Sequence, residues 1–175
     1  MDRIEKILRD QREELLSTDF SQFVPRQEEQ EIDLNSRLAQ IVIGVRRCGK
    51  STLCQKVLFQ SNVQFAYVNF DDETLSSLQS TQLNDILEML YRIYGTFTHL
   101  FMDEIQNVPS WHLFVNRLMR QGIHLVLTGS NANLLSGELS THLTGRYNEI
   151  RLFPFSFAEY CQAKGIATDA LTTKS

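Results

Sequence analysis

Gly44-Val45-Arg46-Arg47-Cys48-Gly49-Lys50-Ser51 follows directly on the apolar run Ile41-Val42-Ile43. Its spacing is that of a phosphate-cradling loop: glycine, four free residues, glycine, lysine, then serine or threonine. Each fixed position answers a chemical need. Gly44 and Gly49 permit positive φ and put no Cβ in the way, so successive backbone N–H groups can close around phosphate oxygens. Lys50 supplies a point charge between the β- and γ-phosphates of a nucleotide, and the Ser51 hydroxyl suits the Mg²⁺ that bridges them. The helix beginning here turns the positive end of its dipole toward the same anion. Val45, Arg46, Arg47, Cys48 and Thr52 complete the expected binding stretch. Arg46 and Arg47 either touch phosphate or a partner, or are solvated loop charges; Cys48 reads as a small neutral loop residue.

Around that loop, 175 residues with 42% hydrophobic and 22% charged content describe one soluble-type domain with a real core. A formal charge of -4 carries no overall footprint for nucleic acid or anionic membrane, while leaving room for a local basic patch. The charged, amphipathic start Met1-Asp2-Arg3-Ile4-Glu5-Lys6 is unlike a signal peptide, and no window approaches a membrane span. Cys48, Cys54 and Cys161 lie outside zinc-ligand or CxxC spacing, which speaks against disulfides and structural zinc and for a cytoplasmic setting. His99, His112, His124 and His142 share no ligand spacing and read as structural.

Toward the amino terminus, Ile4, Ile7, Leu8, Leu15 and Leu16 recur at helical spacing between Asp2 and Ser17. A turn at Thr18 to Pro25 and a second helical segment at Arg26 to Leu38 are expected next, so that residues 1–38 form a helical segment packing on the core. The core itself is expected over 39–165. Ala39 to Val45 reads as a strand covered on both faces, and Lys50 to Gln60 as a helix. Gln64 to Phe70 is a strand ending in Asp71-Asp72-Glu73, an acidic run that reads more readily as the start of a solvated loop than as part of a site. Leu83, Ile86, Leu87, Leu90, Tyr91 and Tyr94 mark a helix closed by Gly95. His99 to Met102 is a strand delivering Asp103-Glu104; Pro109-Ser110 opens a helix carrying Trp111, Phe114, Val115, Leu118 and Met119. Ile123 to Leu127 is a strand leading to Thr128-Gly129-Ser130-Asn131, Leu134 to Leu143 a short helix, and Asn148 to Phe153 a fifth strand. Ser156 and Glu159 form a capping box for a last helix ending near Gly165.

Strands alternating with helices predict a three-layer α/β fold with a central, mostly parallel five-stranded sheet. Right-handed crossovers bring the loops after the strands to one edge. There Asp103 would join Ser51 in the magnesium shell, and Glu104 would polarise an attacking water as general base. The guanine-reading segment Asn-Lys-x-Asp is absent from the sequence, and an acidic pair points to ATP hydrolysis rather than small-molecule phosphorylation.

The succession Gly44 to Thr52, Phe101-Met102-Asp103-Glu104-Ile105-Gln106, Leu127-Thr128-Gly129-Ser130-Asn131, Leu135-Ser136-Gly137-Glu138 through Leu143-Thr144-Gly145-Arg146, and Leu152-Phe153-Pro154-Phe155-Ser156-Phe157 resembles a prokaryotic family of predicted ATPases of the AAA+ superfamily. The resemblance spans roughly Ile41 to Tyr160. It implies a P-loop NTPase fold, ATP as substrate, ADP as product and Mg²⁺ as cofactor. It also implies a γ-phosphate sensor at Ser130 or Asn131, with Thr128 a weaker candidate. Arg146 becomes the candidate arginine that completes such a site, from a neighbouring subunit or within the chain, and with it comes self-association. Members of that family are longer, so residues 166–175 are expected to be a tail before a C-terminal region that would carry DNA or protein partners. The helical lid that contributes adenine contacts and a second sensor arginine would lie there too. The alternative to an ATPase is a nucleotide-gated switch with little turnover.

Overall fold

The structure, a computed structural model, describes residues 2–130, 134 and 136–154. Its centre is a five-stranded sheet of β1 (Ala39–Gly44), β2 (Phe65–Asn69), β3 (His99–Asp103), β4 (His124–Ser130) and β5 (Tyr147–Leu152), all parallel, in the order β2-β3-β4-β1-β5. The connecting helices are α2 (Lys50–Gln60), α3 (Leu83–Tyr94), α4 (Trp111–Arg120) and α5 (Ser136–His142), preceded by α1 (Asp2–Ser17).

Alternation along β1 explains the three layers. Ile41 and Ile43 pack with Leu8 of α1 and the apolar faces of α3, α4 and α5; Val42, pointing the other way, packs with Leu53, Cys54, Val57 and Leu58 of α2. Every residue of β1 is buried, as a strand covered on both faces requires. Fully burying each such aliphatic side chain stabilises the fold by roughly 1.5–3 kcal/mol. At the free edge of β2, Gln11 of α1 donates Nε2 to Asn69 O (3.0 Å) and accepts Asn69 N–H at Oε1 (3.1 Å), so one side chain covers the end of the edge strand.

Strand order places the site. β1 and β3 are not neighbours: β4 lies between them. Two strand spacings, roughly 10 Å, therefore separate the carboxyl end of β1 from Asp103, enough for a phosphate chain and a solvated metal.

One expected element is absent. In place of a helix over Arg26 to Leu38 there is a single 3-10 turn, Gln27–Glu31, followed by extended chain. Asp33 accepts Asn35 N–H (3.0 Å) and Ser36 Oγ accepts Leu38 N–H (3.0 Å), local bonds that compete with helix formation. The extended route lets Ile32 and Leu34 enter the core beside α2. Histidine rings hold it there: His99 Nε2 meets Leu34 O at 2.8 Å and His124 Nδ1 meets Ser36 O at 2.9 Å, the two rings stacked 4.7 Å apart. β4 also runs further than periodicity indicates, because Thr128, Gly129 and Ser130 pair with Val42, Ile43 and Gly44. The capping box at Ser156 and the helix after it fall outside the described residues.

Candidate nucleotide site

β1 ends at Gly44, and the loop from Val45 to Gly49 turns into the first residue of α2, Lys50. The two glycines serve different ends. Gly49 has φ 95 and so needs left-handed freedom, whereas Gly44 lies in the strand and has none. Gly44 is required by crowding: a Cβ there would sit 2.5 Å from Leu152 O and 2.7 Å from Cys48 Sγ. The second left-handed residue of the loop is Arg47, at φ 63.

Lys50 is buried and folds back on its own loop. Its ammonium donates to Gly44 O at 3.1 Å and Val45 O at 3.0 Å and lies 3.6 Å from Glu104 Oε1. Asp103, the buried last residue of β3, accepts hydrogen bonds from Thr128 Oγ1 at Oδ1 and from Tyr67 OH at Oδ2 (3.1 Å). Burial raises its carboxyl above the usual range, opposed by bonds from the Thr128, Ser51 and Tyr67 hydroxyls. Tyr67 is itself raised, by burial and by the nearby Asp103 charge, so it remains a donor.

Glu104 takes a left-handed backbone, φ 54 and ψ 50, uncommon for a residue with a side chain. Its N–H is anchored on Thr128 Oγ1 at 2.9 Å, and its Oε2 accepts Gln106 Nε2 at 2.6 Å. Thr128 thus ties the two acids together: one hydroxyl donates to Asp103 and accepts from Glu104.

A cleft of about 420 Å³ opens between the loop and these acids, with Lys50, Ser51 and Thr52 on one wall, Asp103 and Glu104 on the other, and Asn69 and Asp71 beyond. Ser51 and Asp103 offer only hard oxygen donors on facing walls, the donor set that suits Mg²⁺, which takes few protein ligands and completes its shell with water and phosphate. On the other side of the loop is an apolar hollow of about 220 Å³ formed by Phe23, Val24, Cys48 and Leu53, with Arg26, Lys56 and Glu29 at its margin. Arg26 is buried against the loop: Nη1 donates to Cys48 O at 3.1 Å and Nη2 to Phe153 O, beyond β5. Glu29 fixes that segment by accepting Arg26 N–H at 2.6 Å and Lys56 Nζ at 3.1 Å.

Lys50, Ser51, Thr52, Arg47, Gly49, Asp103 and Glu104 come together at one edge, as sequence reasoning expects. Ser130 is buried at the end of β4, opposite Gly44. Asn131 lies outside the described residues. Val45 is exposed at 47%, and Arg46 is exposed. Arg146 stands apart from the cleft: it precedes β5, its carbonyl accepts Ala39 N–H at the start of β1, and its guanidinium bonds Thr144 Oγ1 and Asn116 Oδ1, both at 3.2 Å. A strand of this length, roughly 20 Å, separates it from the phosphate loop, so it does not reach the cleft of its own chain.

Arg26, Asn69, Asp71, Tyr67 and Gln106 surround the site without having stood out in the sequence. Asp71 had a weak signal, an acid just past a strand's carboxyl end. Gln106 acts locally, on Glu104 two positions away; Arg26, Asn69 and Tyr67 act through contacts distant in sequence.

A family profile described as an AAA domain matches residues 36–161. The chain belongs to the AAA domain family. It is therefore a domain of the P-loop NTPase fold. This AAA domain is 36% identical over 135 residues to an uncharacterised protein of Methanocaldococcus jannaschii, covering 77% of this chain and 30% of that one. It is likewise 36% identical over 135 residues to an uncharacterised protein of Haemophilus influenzae, covering 73% of this chain and 34% of the relative. The chain thus spans about a third of the length of these curated relatives. Among solved structures it is similar to the flagellar accessory protein FlaH of Methanocaldococcus jannaschii, at TM-score 0.47 and 16% identity over 66% of this chain and 71% of that one. Among the described residues, no helix is long and apolar enough to cross a membrane.

Proposed function

We propose that this AAA domain hydrolyses ATP to ADP and phosphate with Mg²⁺. The observation that carries the reading is the placement of Asp103 and Glu104 across a cleft from Lys50 and Ser51, with β4 spacing them apart. Loop amides and Lys50 bind the phosphates, and Ser51 with Asp103 would hold the metal, which would supply charge neutralisation at the phosphates. Glu104 accepts the proton of the attacking water. Ser130 contacts the γ-phosphate, and Asn131 remains the companion candidate. The base lies in the apolar hollow between Phe23, Val24, Cys48 and Leu53, which supplies adenine contacts. Arg146, a strand's length from its own cleft, could reach only the nucleotide of a second copy, and such a role would require self-association.

In this reading Lys50→Ala abolishes ATP binding. Glu104→Gln keeps binding, because it removes the charge that holds Lys50 back, and lowers turnover at least about 100-fold. Isothermal titration and steady-state phosphate release measure both; unchanged affinity in the lysine variant would sink the assignment. A second reading, a nucleotide-gated switch with little turnover, is favoured by Glu104 being engaged by both Lys50 and Gln106. Under it, purified protein retains ADP and shows a single turnover.

A further inference from the structure

No aspartate or glutamate lies between Glu104 and Glu138, in a chain where acids outnumber Lys and Arg by 21 to 17. That acid-free stretch contains α4, and the helix separates its residues into two faces. Trp111, Phe114, Val115 and Leu118 are buried, while His112, Leu113, Asn116, Arg117 and Arg120 form the outward stripe. Positive charge continues on both flanks. Arg146 donates to Asn116 Oδ1 (3.2 Å), and Arg37 shares with Arg120 and His124 an open cleft of about 370 Å³.

Two of these arginines are held by neutral groups. Arg117 donates to Asn84 Oδ1 and lies 5.2 Å over the Phe114 ring; Arg146 bonds Thr144 and Asn116. Among the described residues, none of Arg37, Arg117, Arg120 and Arg146 makes an ion pair, whereas Arg9 and Arg92 pair with Glu5 and Lys56 with Glu29. Asp85 is next in sequence to Asn84, the partner of Arg117, in the first turn of α3. Fixed, unneutralised guanidinium groups keep their charge and their forked donors for an external anion.

We propose that the outer face of α4, flanked by Arg37 and Arg146, binds the phosphodiester backbone of nucleic acid. Charge distribution favours this ligand over an acidic peptide. The arginines are spread along and beside a helix of about 15 Å, matching a line of phosphates. Asn116 and Thr144 add the neutral side-chain types that accompany such contacts. His112 and His142 stack at 4.0 Å and present ring faces suited to an unpaired base. A peptide would want an apolar anchor pocket, whereas the cleft of about 300 Å³ beside the protruding Leu113, 62% exposed, is lined mainly by the polar Ser80, Thr81, Asn84 and Arg117. α4 packs in the layer opposite α2, so an occupant leaves the phosphate loop open.

The test uses fluorescence anisotropy of the 175-residue chain with a labelled oligonucleotide of about 20 nucleotides, single-stranded and as duplex. Four phosphate contacts predict binding that weakens roughly 100-fold between about 50 and 200 mM salt. Arg117→Glu with Arg120→Glu is expected to lower affinity at least about 10-fold and the salt slope by about two. The milder Arg117→Gln with Arg120→Gln serves if charge reversal impairs folding, and should act in the same direction. Arg9→Glu with Arg92→Glu, on the acid-paired side, should leave binding unchanged, and ATP affinity should be equal in all variants whether or not the domain hydrolyses ATP. Tighter binding of the single strand supports a stacking role for the histidines. The proposal is overturned by absence of binding at about 50 mM salt, by equal loss in the control pair, or by poly-glutamate displacing the oligonucleotide as well as unlabelled DNA does.

Discussion

Lys50 Nζ lies 3.6 Å from Glu104 Oε1 while donating to Gly44 O and Val45 O at 3.1 and 3.0 Å. The ammonium that the proposed function assigns to phosphate is therefore already satisfied by the loop it springs from and by the acid across the cleft. In the proposed site, nucleotide binding would exchange these partners and so couple the loop to Glu104.

That exchange makes Lys50→Ala a test of binding rather than of fold. ATP at a hundredfold excess over its Kd stabilises a binding protein by about 2.7 kcal/mol, a rise in Tm of roughly 5–10 °C at this chain length. The wild-type shift should appear in a thermal melt and vanish in the variant. An ATP shift retained by Lys50→Ala would remove the lysine from the site.

Gln106 should govern turnover without touching affinity. Its Nε2 holds Glu104 Oε2 at 2.6 Å, and its buried Oε1 has no hydrogen-bond partner among the described residues, close to Gly129. Once Lys50 moves to phosphate, Gln106 is the side chain that still aims the carboxylate. Gln106→Ala is expected to lower kcat roughly 10- to 100-fold, the range that a misdirected general base costs, with ATP Kd within about twofold. Equal losses in Kd and kcat would point instead to a collapsed site.

Much of this arrangement was readable from local pattern, and the exceptions share a cause. α3 and α4 declare themselves because Leu83, Ile86 and Leu90, or Trp111, Phe114, Val115 and Leu118, repeat at helical spacing against a polar face. The phosphate loop and Asp103-Glu104 declare themselves by spacing after apolar strands. Arg26 does not, since its partners Cys48 and Phe153 lie 22 and 127 positions away. Its segment mimics a helix in composition, yet Asp33 and Ser36 divert the backbone and Ile32 and Leu34 gain more by reaching the core. Gly44 is required by its contact with Leu152 O, a consequence of β5 pairing with β1 that no motif contains.

Asp103 sits where burial of its carboxylate costs stability. Burial is the largest influence on its carboxyl and raises it, so the ionised form is less welcome in the folded protein than in the unfolded chain. The sign follows from linkage: as pH falls through the folded-state value toward the ordinary 3.8, the folded state takes up a proton before the unfolded one, and this group's destabilising contribution is relieved. Asp103→Asn should therefore raise Tm at neutral pH, since an amide can still accept from Thr128 and donate to the Tyr67 oxygen. The same variant should lose Mg²⁺-dependent ATP binding. A lower Tm in Asp103→Asn would show that the hydrogen bonds to the charged form outweigh burial.

Arg26 joins three parts of the molecule: the segment before β1, the phosphate loop through Cys48 O, and the chain leaving β5 through Phe153 O. Arg26→Ala leaves both carbonyls without this donor in a buried setting. At roughly 1.5–3 kcal/mol for a bond from a charged donor, and allowing for partial rescue by water, the loss should be about 2–4 kcal/mol. For a chain of this size that lowers Tm by roughly 5–15 °C. The effect on ATP separates two roles. If Arg26 only braces the fold, affinity measured well below the melt stays the same. Because its guanidinium instead abuts the position a Gly49 Cβ would take, at 3.6 Å, loosening it should free the loop and weaken ATP binding by about 10-fold, or 1.4 kcal/mol. Arg26→Lys, which can reach one carbonyl but not both, should fall between wild type and alanine in both measurements.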